Sequence, residues 1–258
     1  MLKITEQVLQ ACEAYLSREV DKDFLRRVWA RPLGDYANRL RAIGFSELGS
    51  VLDAGCGFGQ WSVALASIGN CVEAIDRDAG RIESLCHIIK HTCPGLVNAR
   101  KSDIETTPFG NRHFDGIFCY SAIYNSDYRR TLTEFHRLVR PGGLLYVNTN
   151  DIGWYIYNLL HDHNPSTDFS PREMAIQALE NSLRYFSGRE RSPEHCIIMP
   201  MDVFMDDLEA SGFEVIGAGP DGTVGTSENQ NSCSFYPGEY YDRVAVYEVL
   251  CQRREDND

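Results

Sequence analysis

A short run of glycines between two acidic residues is the feature of this chain that most clearly suggests chemistry. Glycines occupy alternate positions from Gly55 to Gly59, directly after an apolar stretch that contains Asp53. Glycine has no Cβ, so this backbone can approach a ligand closely. Asp76 follows 23 residues after Asp53, at the end of the next apolar stretch. The spacing predicts a small-molecule site where the strands of a sheet end.

A nicotinamide or flavin dinucleotide is one ligand that such a loop could hold. The dinucleotide fingerprint Gly-x-Gly-x-x-Gly would place its third glycine at position 60, which is Gln60 here. The glycines instead read Gly-x-Gly-x-Gly, with an acid two positions ahead. This motif resembles the first motif of the class I S-adenosylmethionine-dependent methyltransferases.

Further motifs of that family follow in the expected order. They are Asp76, the segment Ser102-Asp103-Ile104, the stretch 114–119, and the helix and turn 132–143. The resemblance covers residues 50–150 well and the last two strands loosely. It implies S-adenosylmethionine as cofactor, with Asp76 at the ribose and Asp103 at the adenine. The residues that it implies for cofactor binding are Asp53, Ala54, Gly55, Gly57, Gly59, Asp76, Arg77, Ser102, Asp103, Ile104 and Cys119. Arg77 could equally be a solvated charge, and Cys119 a core residue.

The elements that position these residues follow from the spacing of apolar side chains. Helical and strand periodicity alternate along the chain, which predicts right-handed crossovers and a parallel sheet. The predicted strands are 50–54, 71–76, 97–101, 114–120, 144–148, 213–217 and 243–250. The predicted helices are 4–16, 35–43, 60–67, 79–91, 128–139, 154–161, 172–187 and 201–210. The fold class is α/β: a doubly wound Rossmann-like sheet, mostly parallel, with an antiparallel last strand and a helical cap insertion.

We divide the chain into four segments on this basis. Residues 1–48 form N-terminal helices over the cofactor site, and 49–150 form the cofactor-binding core. Residues 151–200 form a helical substrate cap, and 201–258 complete the sheet. The aromatic residues of 151–200 suggest a cap over an organic substrate, although they would also suit the core of a helical hairpin.

The segment before the core is unusually aromatic for a linker. It contains Trp29, Arg31 and Tyr36. In related enzymes such a segment closes over the cofactor, and Arg31 or Tyr36 could bind its methionyl carboxylate. A packed aromatic corner with a surface arginine is the alternative.

Candidate catalytic residues lie after the fourth and fifth strands. His161 and His163 end the first cap helix, where a neutral imidazole could remove a proton from an acceptor hydroxyl. Exposed residues that end a helix are the alternative interpretation. Tyr124, followed by Asn125 and Asp127, competes for the same role.

Composition excludes several classes of function. The formal charge of −12 disfavours a nucleic-acid groove, and the longest apolar runs are too short to cross a bilayer. Nine cysteines without metal-ligand spacing indicate reduced thiols and no metal site. The chain lacks a signal-peptide core, so we expect a cytoplasmic protein that does not bind membranes.

The sequence therefore predicts methyl transfer to an oxygen atom of a small metabolite or sugar-containing intermediate. A small-molecule nitrogen acceptor, a noncatalytic S-adenosylmethionine-binding protein and a Rossmann oxidoreductase remain alternatives. Base or amide N-methylation is disfavoured, because Tyr120-Ser121-Ala122-Ile123 stands where such enzymes carry Asn/Asp-Pro-Pro-Tyr.

Overall fold

One seven-stranded sheet forms the centre of the molecule. The computed structural model describes residues 4–93, 95–226 and 233–255. Its strands are β1 (Ser50–Ala54), β2 (Cys71–Asp76), β3 (Val97–Lys101), β4 (Phe114–Tyr120), β5 (Val139–Asn150), β6 (Phe213–Pro220), β7 (Glu239–Tyr240), β8 (Arg243–Val244) and β9 (Val246–Arg253). The sheet order is β3-β2-β1-β4-β5-β9-β6, and β7 and β8 form a separate two-stranded ribbon.

Strand direction matches the predicted fold class. The pairs among β1 to β5 are parallel, whereas β9 runs antiparallel between β5 and β6. The order of strands therefore changes direction next to β1, because β2 and β3 lie on one side of it and β4 and β5 on the other. Open α/β sheets bind ligands at such a point, beyond the carboxyl ends of the strands.

Helices cover both faces of the sheet. They are α1 (Glu6–Cys12), α2 (Glu19–Ala30), α3 (Leu33–Ala42), α4 (Gln60–Ser67), α5 (Ala79–Thr92), α6 (Tyr128–Leu138), α7 (Ile152–His161), α8 (Pro171–Phe186) and α9 (Met201–Ala210). Alternate strand residues point to opposite faces, so Val51 packs with residues of α1 to α5 while Leu52 packs with those of α6 and α9. None of these helices is long and apolar enough to span a membrane.

The predicted elements agree with the structure most closely around the glycine loop. The bounds of β1 to β4, α4 and α9 are as predicted, and the antiparallel last strand is confirmed. The stretch 243–250 is not one strand, because it divides into β8 and the longer β9. Helix α2 was not predicted, and β5 begins five residues earlier than expected because Val139 already pairs with Phe114.

The insertion after β5 folds as a helical hairpin. Tyr155 of α7 packs with Ala175 and Ala178 of α8 and with Ile198 in a small core of its own. Asp151 caps α7 and also accepts a hydrogen bond from the Met201 backbone, so both ends of the insertion meet at the end of β5. The division into four segments and the cap role of 151–200 remain predictions.

Candidate cofactor and acceptor site

The turn from β1 to α4 needs glycine at two positions for packing. A Cβ on Gly55 would lie 2.3 Å from the Ala122 Cβ, and one on Gly59 would lie 2.0 Å from Leu85 Cδ1. Both glycines also have positive φ, at 78° and 77°. The loop is held against β2, because the backbone N–H groups of Gly55 and Cys56 donate to the Ile75 carbonyl.

Gly57 is different, because a Cβ at this position would not clash with the rest of the fold. A Cβ there would meet only the Phe24 ring of α2, at 3.9 Å. The Gly57 N–H donates to Asp76 Oδ2 at 3.0 Å. Phe24 of α2 therefore faces the glycine loop at Gly57.

Two buried acids lie beside the glycine loop. Asp53 is 1% exposed, and its Oδ2 accepts a 2.5 Å hydrogen bond from Ser62 Oγ. Burial raises the pKa of Asp53 to about 7; the Ser62 hydrogen bond opposes the rise, and the nearby Asp76 adds to it. Asp76 Oδ1 accepts from the Asp78 N–H at 2.9 Å. Each Asp76 oxygen thus accepts one backbone N–H and keeps a lone pair for another donor.

The segment after β3 lies at the same edge of the sheet. The Ser102 N–H donates to the Asp76 carbonyl at 3.0 Å. Asp103 is exposed and accepts from the Glu105 N–H, whereas Ile104 is 9% exposed and packs with the core. An exposed carboxylate and an apolar side chain therefore stand together next to Asp76.

Asp221 holds together the wall of the site at the ends of β4 and β5, on the other side of β1 from Asp76. Its Oδ1 accepts from the Tyr120 hydroxyl and the Asn148 amide, both at 2.9 Å. Its Oδ2 accepts from the backbone N–H groups of Phe235 and Tyr236, at 2.5 and 2.9 Å. One carboxylate, 2% exposed, thus ties the ends of β4 and β5 to the segment that starts at 233.

Comparison with known proteins agrees with this geometry. The model of a methyltransferase domain family matches residues 51–143. A malonyl-[acyl-carrier protein] O-methyltransferase of Erwinia billingiae is 33% identical over 130 residues, which is 48% of this chain and 46% of that protein. A ubiquinone biosynthesis O-methyltransferase of Coxiella burnetii is 29% identical over 151 residues, 52% of this chain and 63% of that protein. The match spans less than two thirds of the length of either relative.

A solved structure shows the same fold over most of the chain. The structure of a geranyl diphosphate methyltransferase in complex with S-adenosylmethionine aligns with a TM-score of 0.58 and 16% identity, covering 93% of this chain and 94% of that one. Residues 51–143 thus match a methyltransferase domain family, and the fold is similar to that of a solved methyltransferase that binds S-adenosylmethionine. The strand order and glycine loop above are therefore those of a methyltransferase domain.

The residues of the methyltransferase domain fit this cofactor. Gly57 has no Cβ, which suits a ligand that passes close to the backbone. The free lone pairs of Asp76 suit two ribose hydroxyls, and Asp103 with Ile104 suits an adenine amino group and ring. Gln60 Oε1 is a buried oxygen without a hydrogen-bond donor among the described residues, and it lies in the first turn of α4. Such an atom needs a donor from outside the fold.

Other predicted cofactor residues are placed less favourably. Ala54 and Cys119 are both 0% exposed, and burial raises the pKa of the Cys119 thiol, so Cys119 is a core residue here. Arg77 donates to the carbonyls of Asn125 and Pro193, so it bridges the segment after β4 to the insertion. The hydrogen bonds of the Arg77 guanidinium therefore go to backbone carbonyls of the protein itself.

The N-terminal helices contact the glycine loop directly. Trp29 Nε1 donates to the Phe58 carbonyl at 3.2 Å. The Tyr36 hydroxyl donates to the Val28 carbonyl at 2.7 Å and is buried, which leaves its oxygen poorly placed for a ligand. Arg31 Cζ lies 4.5 Å from the centroid of the Phe235 ring. Of Arg31 and Tyr36, Arg31 is therefore the better candidate for the methionyl carboxylate.

The structure separates the predicted catalytic residues. Tyr124 follows β4, and its pKa is raised by burial and by the nearby Cys196 and Tyr236. His161 is exposed and hydrogen-bonds the Tyr241 hydroxyl at the far end of α7, one helix of about 15 Å from the end of β5. His163 is half-buried, with its ring 6.3 Å from that of Trp154. Only Tyr124 is brought next to the strand ends.

Two residues of this site were missed in the sequence analysis. They are Phe24 of α2 and Gln60. Gln60 could have been found, because it directly follows the third glycine of the motif. The residues of α2 could not be placed while that helix was unpredicted.

Proposed function

We propose that this chain transfers the methyl group of S-adenosylmethionine to an oxygen atom of a small molecule. The observation that carries the proposal is the Asp76 carboxylate, which the Gly57 and Asp78 N–H groups fix beside the glycine loop and which keeps a free lone pair on each oxygen. The two relatives described above are both named as O-methyltransferases, which supports an oxygen acceptor.

The chain's own contribution to the reaction is positioning. S-adenosylmethionine supplies an electrophilic methyl group on a sulfonium. Asp76 and Asp103 would orient its nucleoside half, and Arg31 would hold its carboxylate. An acceptor oxygen then attacks the methyl carbon in line with the carbon–sulfur bond, whose electron pair passes to sulfur. Placing the two atoms in line supplies much of the rate enhancement of such a displacement.

The acceptor would enter between the helical insertion and the wall that Asp221 forms with Tyr120, Asn148 and the segment that starts at 233. The ring of Trp154 on α7 lies 5.8 Å from that of Tyr236, so aromatic surfaces of the insertion and of the Asp221 wall meet. Such a surface suits an organic acceptor. We retain His163 as the proposed base for a hydroxyl acceptor, because it contacts the same Trp154 ring.

Charge pairing supports a small molecule over a nucleic acid. The arginines that cluster around α6 each pair with a carboxylate instead of standing free for phosphates. The ion pairs are Arg129 with Asp207, Arg130 with Glu105, Arg137 with Glu134, and Arg140 with Asp115.

A screen for S-adenosylhomocysteine release tests the proposal. The purified protein is incubated with S-adenosylmethionine and a library of hydroxylated and carboxylated metabolites, with a matched set of amines. We expect release that depends on at least one oxygen acceptor. Release with amines alone would show that the acceptor atom is nitrogen and not oxygen. Tight cofactor binding without turnover across the library would instead identify a noncatalytic binding protein.

A further inference from the structure

A row of aromatic side chains follows α7 away from the candidate acceptor site. In order of contact its members are Tyr236, Trp154, Tyr240, Tyr157 and His163, and we call it the aromatic row. The centroids of successive rings lie 5.8, 6.4, 3.8 and 5.5 Å apart. All five side chains are half-buried. The row therefore offers a continuous aromatic surface between the insertion and the segment that contains β7.

Tyr236 places one end of the row at the ends of the strands. Asp221 Oδ2 accepts a hydrogen bond from the Tyr236 N–H at 2.9 Å. The other oxygen of the same buried carboxylate binds Tyr120 at the end of β4 and Asn148 near the end of β5. Ligands of open α/β sheets bind beyond these strand ends. A molecule whose reacting atom lies there can extend along the row.

The ribbon of β7 and β8 holds the row close to α7. A Cβ on Gly153 would lie 2.6 Å from the carbonyl oxygens of both Arg243 and Val244, so only glycine allows this close approach. Tyr241, in the turn of the ribbon, has a positive φ of 54° and hydrogen-bonds His161 of α7 through its hydroxyl. Rings that are fixed in this way lose little entropy when a ligand stacks on them.

The row is separate from the hydrophobic core. Tyr157, Tyr236 and Tyr240 belong to none of the three apolar clusters formed by the described residues. Tyr155 shows the contrast on the same helix, because it is 1% exposed and packs in the core of the insertion. Helix α7 thus has one aromatic residue for the core and a second aromatic face toward the ribbon. Half-exposed aromatic surface beside a site is typical of ligand-binding grooves.

We propose that the aromatic row binds an aromatic ring of the methyl acceptor. The inference rests on the proposed function and narrows its acceptor. Aromatic rings attract one another in stacked or edge-to-face arrangements, and the row contains both: Tyr157 stacks on Tyr240, and Trp154 meets Tyr236 edge to face. S-adenosylmethionine brings a net positive charge to the site, which disfavours a cationic acceptor. A ring held in the row would aim the acceptor oxygen at the methyl carbon.

Two alcohols that differ only in their ring test this inference. The protein is saturated with S-adenosylhomocysteine and titrated with benzyl alcohol and, separately, with cyclohexylmethanol, and binding is followed by NMR of the ligand. Burial of apolar surface alone favours cyclohexylmethanol, because its saturated ring is the more hydrophobic. Stacking in the row favours benzyl alcohol. We expect benzyl alcohol to bind at least about threefold more tightly, the effect of one aromatic pair.

Substitutions of Tyr157 assign the preference to the row. Tyr157→Leu should remove the preference for benzyl alcohol and leave S-adenosylhomocysteine affinity within about twofold, because it removes one ring from the row. Tyr157→Phe keeps the ring and should keep the preference. Tyr15→Leu is the matched control and should also keep it, since Tyr15 is an exposed tyrosine that contacts His87 of α5.

Several outcomes would overturn the inference. Cyclohexylmethanol that binds as tightly as benzyl alcohol would reject an aromatic acceptor and leave the proposed function standing, as would failure of both alcohols to bind the S-adenosylhomocysteine complex. A preference that survives in Tyr157→Leu would place the ring site outside the row. Tetramethylammonium that displaces benzyl alcohol and binds more tightly would assign the row to a cation. Absence of S-adenosylhomocysteine binding by the unmodified protein would reject the proposed function as well.

Discussion

Asp76 is the residue on which the cofactor assignment depends most. Its two oxygens accept from the Gly57 and Asp78 N–H groups, so the carboxylate is fixed in place before any ligand binds. A preorganised acceptor of this kind loses little entropy on binding. The family resemblance implied this role for Asp76 at the end of β2, but only the structure shows its hydrogen bond to the glycine loop.

Replacing Asp76 should weaken cofactor binding more than it weakens the fold. We expect Asp76→Ala to reduce S-adenosylhomocysteine affinity by about 1.5 to 3 kcal/mol, the range for hydrogen bonds to a charged group. Isothermal titration calorimetry measures the affinity, and urea unfolding checks that the variant is folded. Glu83→Ala, at an exposed acid of α5, is the control. Unchanged affinity in folded Asp76→Ala would refute the assignment.

Asp53 gives the protein a pH dependence of unusual sign. Its pKa is about 7 in the folded protein against an ordinary 3.8, so the folded state binds the proton more tightly. The resulting stabilisation is complete below about pH 4 and is lost as pH rises through about 7. Asp53→Asn cannot ionise. Without cofactor, the free energy of unfolding of the natural protein should therefore fall by about 3 kcal/mol relative to Asp53→Asn between pH 5 and pH 8. Urea titrations at both pH values measure the difference, and a constant difference would contradict the account.

At the scale of elements, helix α2 shows a signal that the sequence analysis missed. Its apolar residues recur at helical spacing, at Val20, Phe24, Leu25, Val28 and Trp29, so the helix itself could have been predicted, whereas its N-terminal cap could not. Its N-terminus is capped by Asp168, whose oxygens accept from the Glu19 and Val20 N–H groups at 3.0 Å. That cap lies 149 residues away from Glu19, beyond any local sequence signal. Strand β1 and helix α4 were predictable because their signals are adjacent in sequence.

The Asp168 cap ties the insertion to the helix that covers the glycine loop. We expect Asp168→Ala to free the first turn of α2 and to speed amide exchange there at least about threefold, because two backbone donors lose their partner. Hydrogen exchange with mass spectrometry measures this. Asp202→Ala, at the exposed start of α9, is the matched control and should leave α2 unchanged. Equal exchange in both variants would show that the cap does not hold α2.

At the scale of the whole molecule, a buried ion pair joins the N-terminal helices to the sheet. Arg39 of α3 pairs with Glu248 of β9, and both side chains are fully buried. Glu248 also accepts from the Tyr146 hydroxyl and the Val224 N–H, at 2.5 and 2.7 Å. The sequence places Arg39 on a helix and Glu248 on a strand, but the pair depends on the order of strands in the sheet and could not be predicted.

Removing one partner of this pair should destabilise the whole fold. Arg39→Met leaves the Glu248 carboxylate buried without its cation, which costs about 3 to 5 kcal/mol of unfolding free energy. The double variant Arg39→Met with Glu248→Gln should recover part of the loss, since the uncharged amide is cheaper to bury. Urea unfolding of both variants tests this. A loss below about 1 kcal/mol in Arg39→Met would show that the pair does not anchor the N-terminal helices.

The central claim is that this molecule binds S-adenosylmethionine and not a dinucleotide at the glycine loop. Calorimetric titration with S-adenosylhomocysteine and, separately, with NAD tests it most directly. The account predicts a single saturable site for S-adenosylhomocysteine, weakened in Asp76→Ala, and no binding of NAD. Saturable NAD binding with no response to S-adenosylhomocysteine would contradict it.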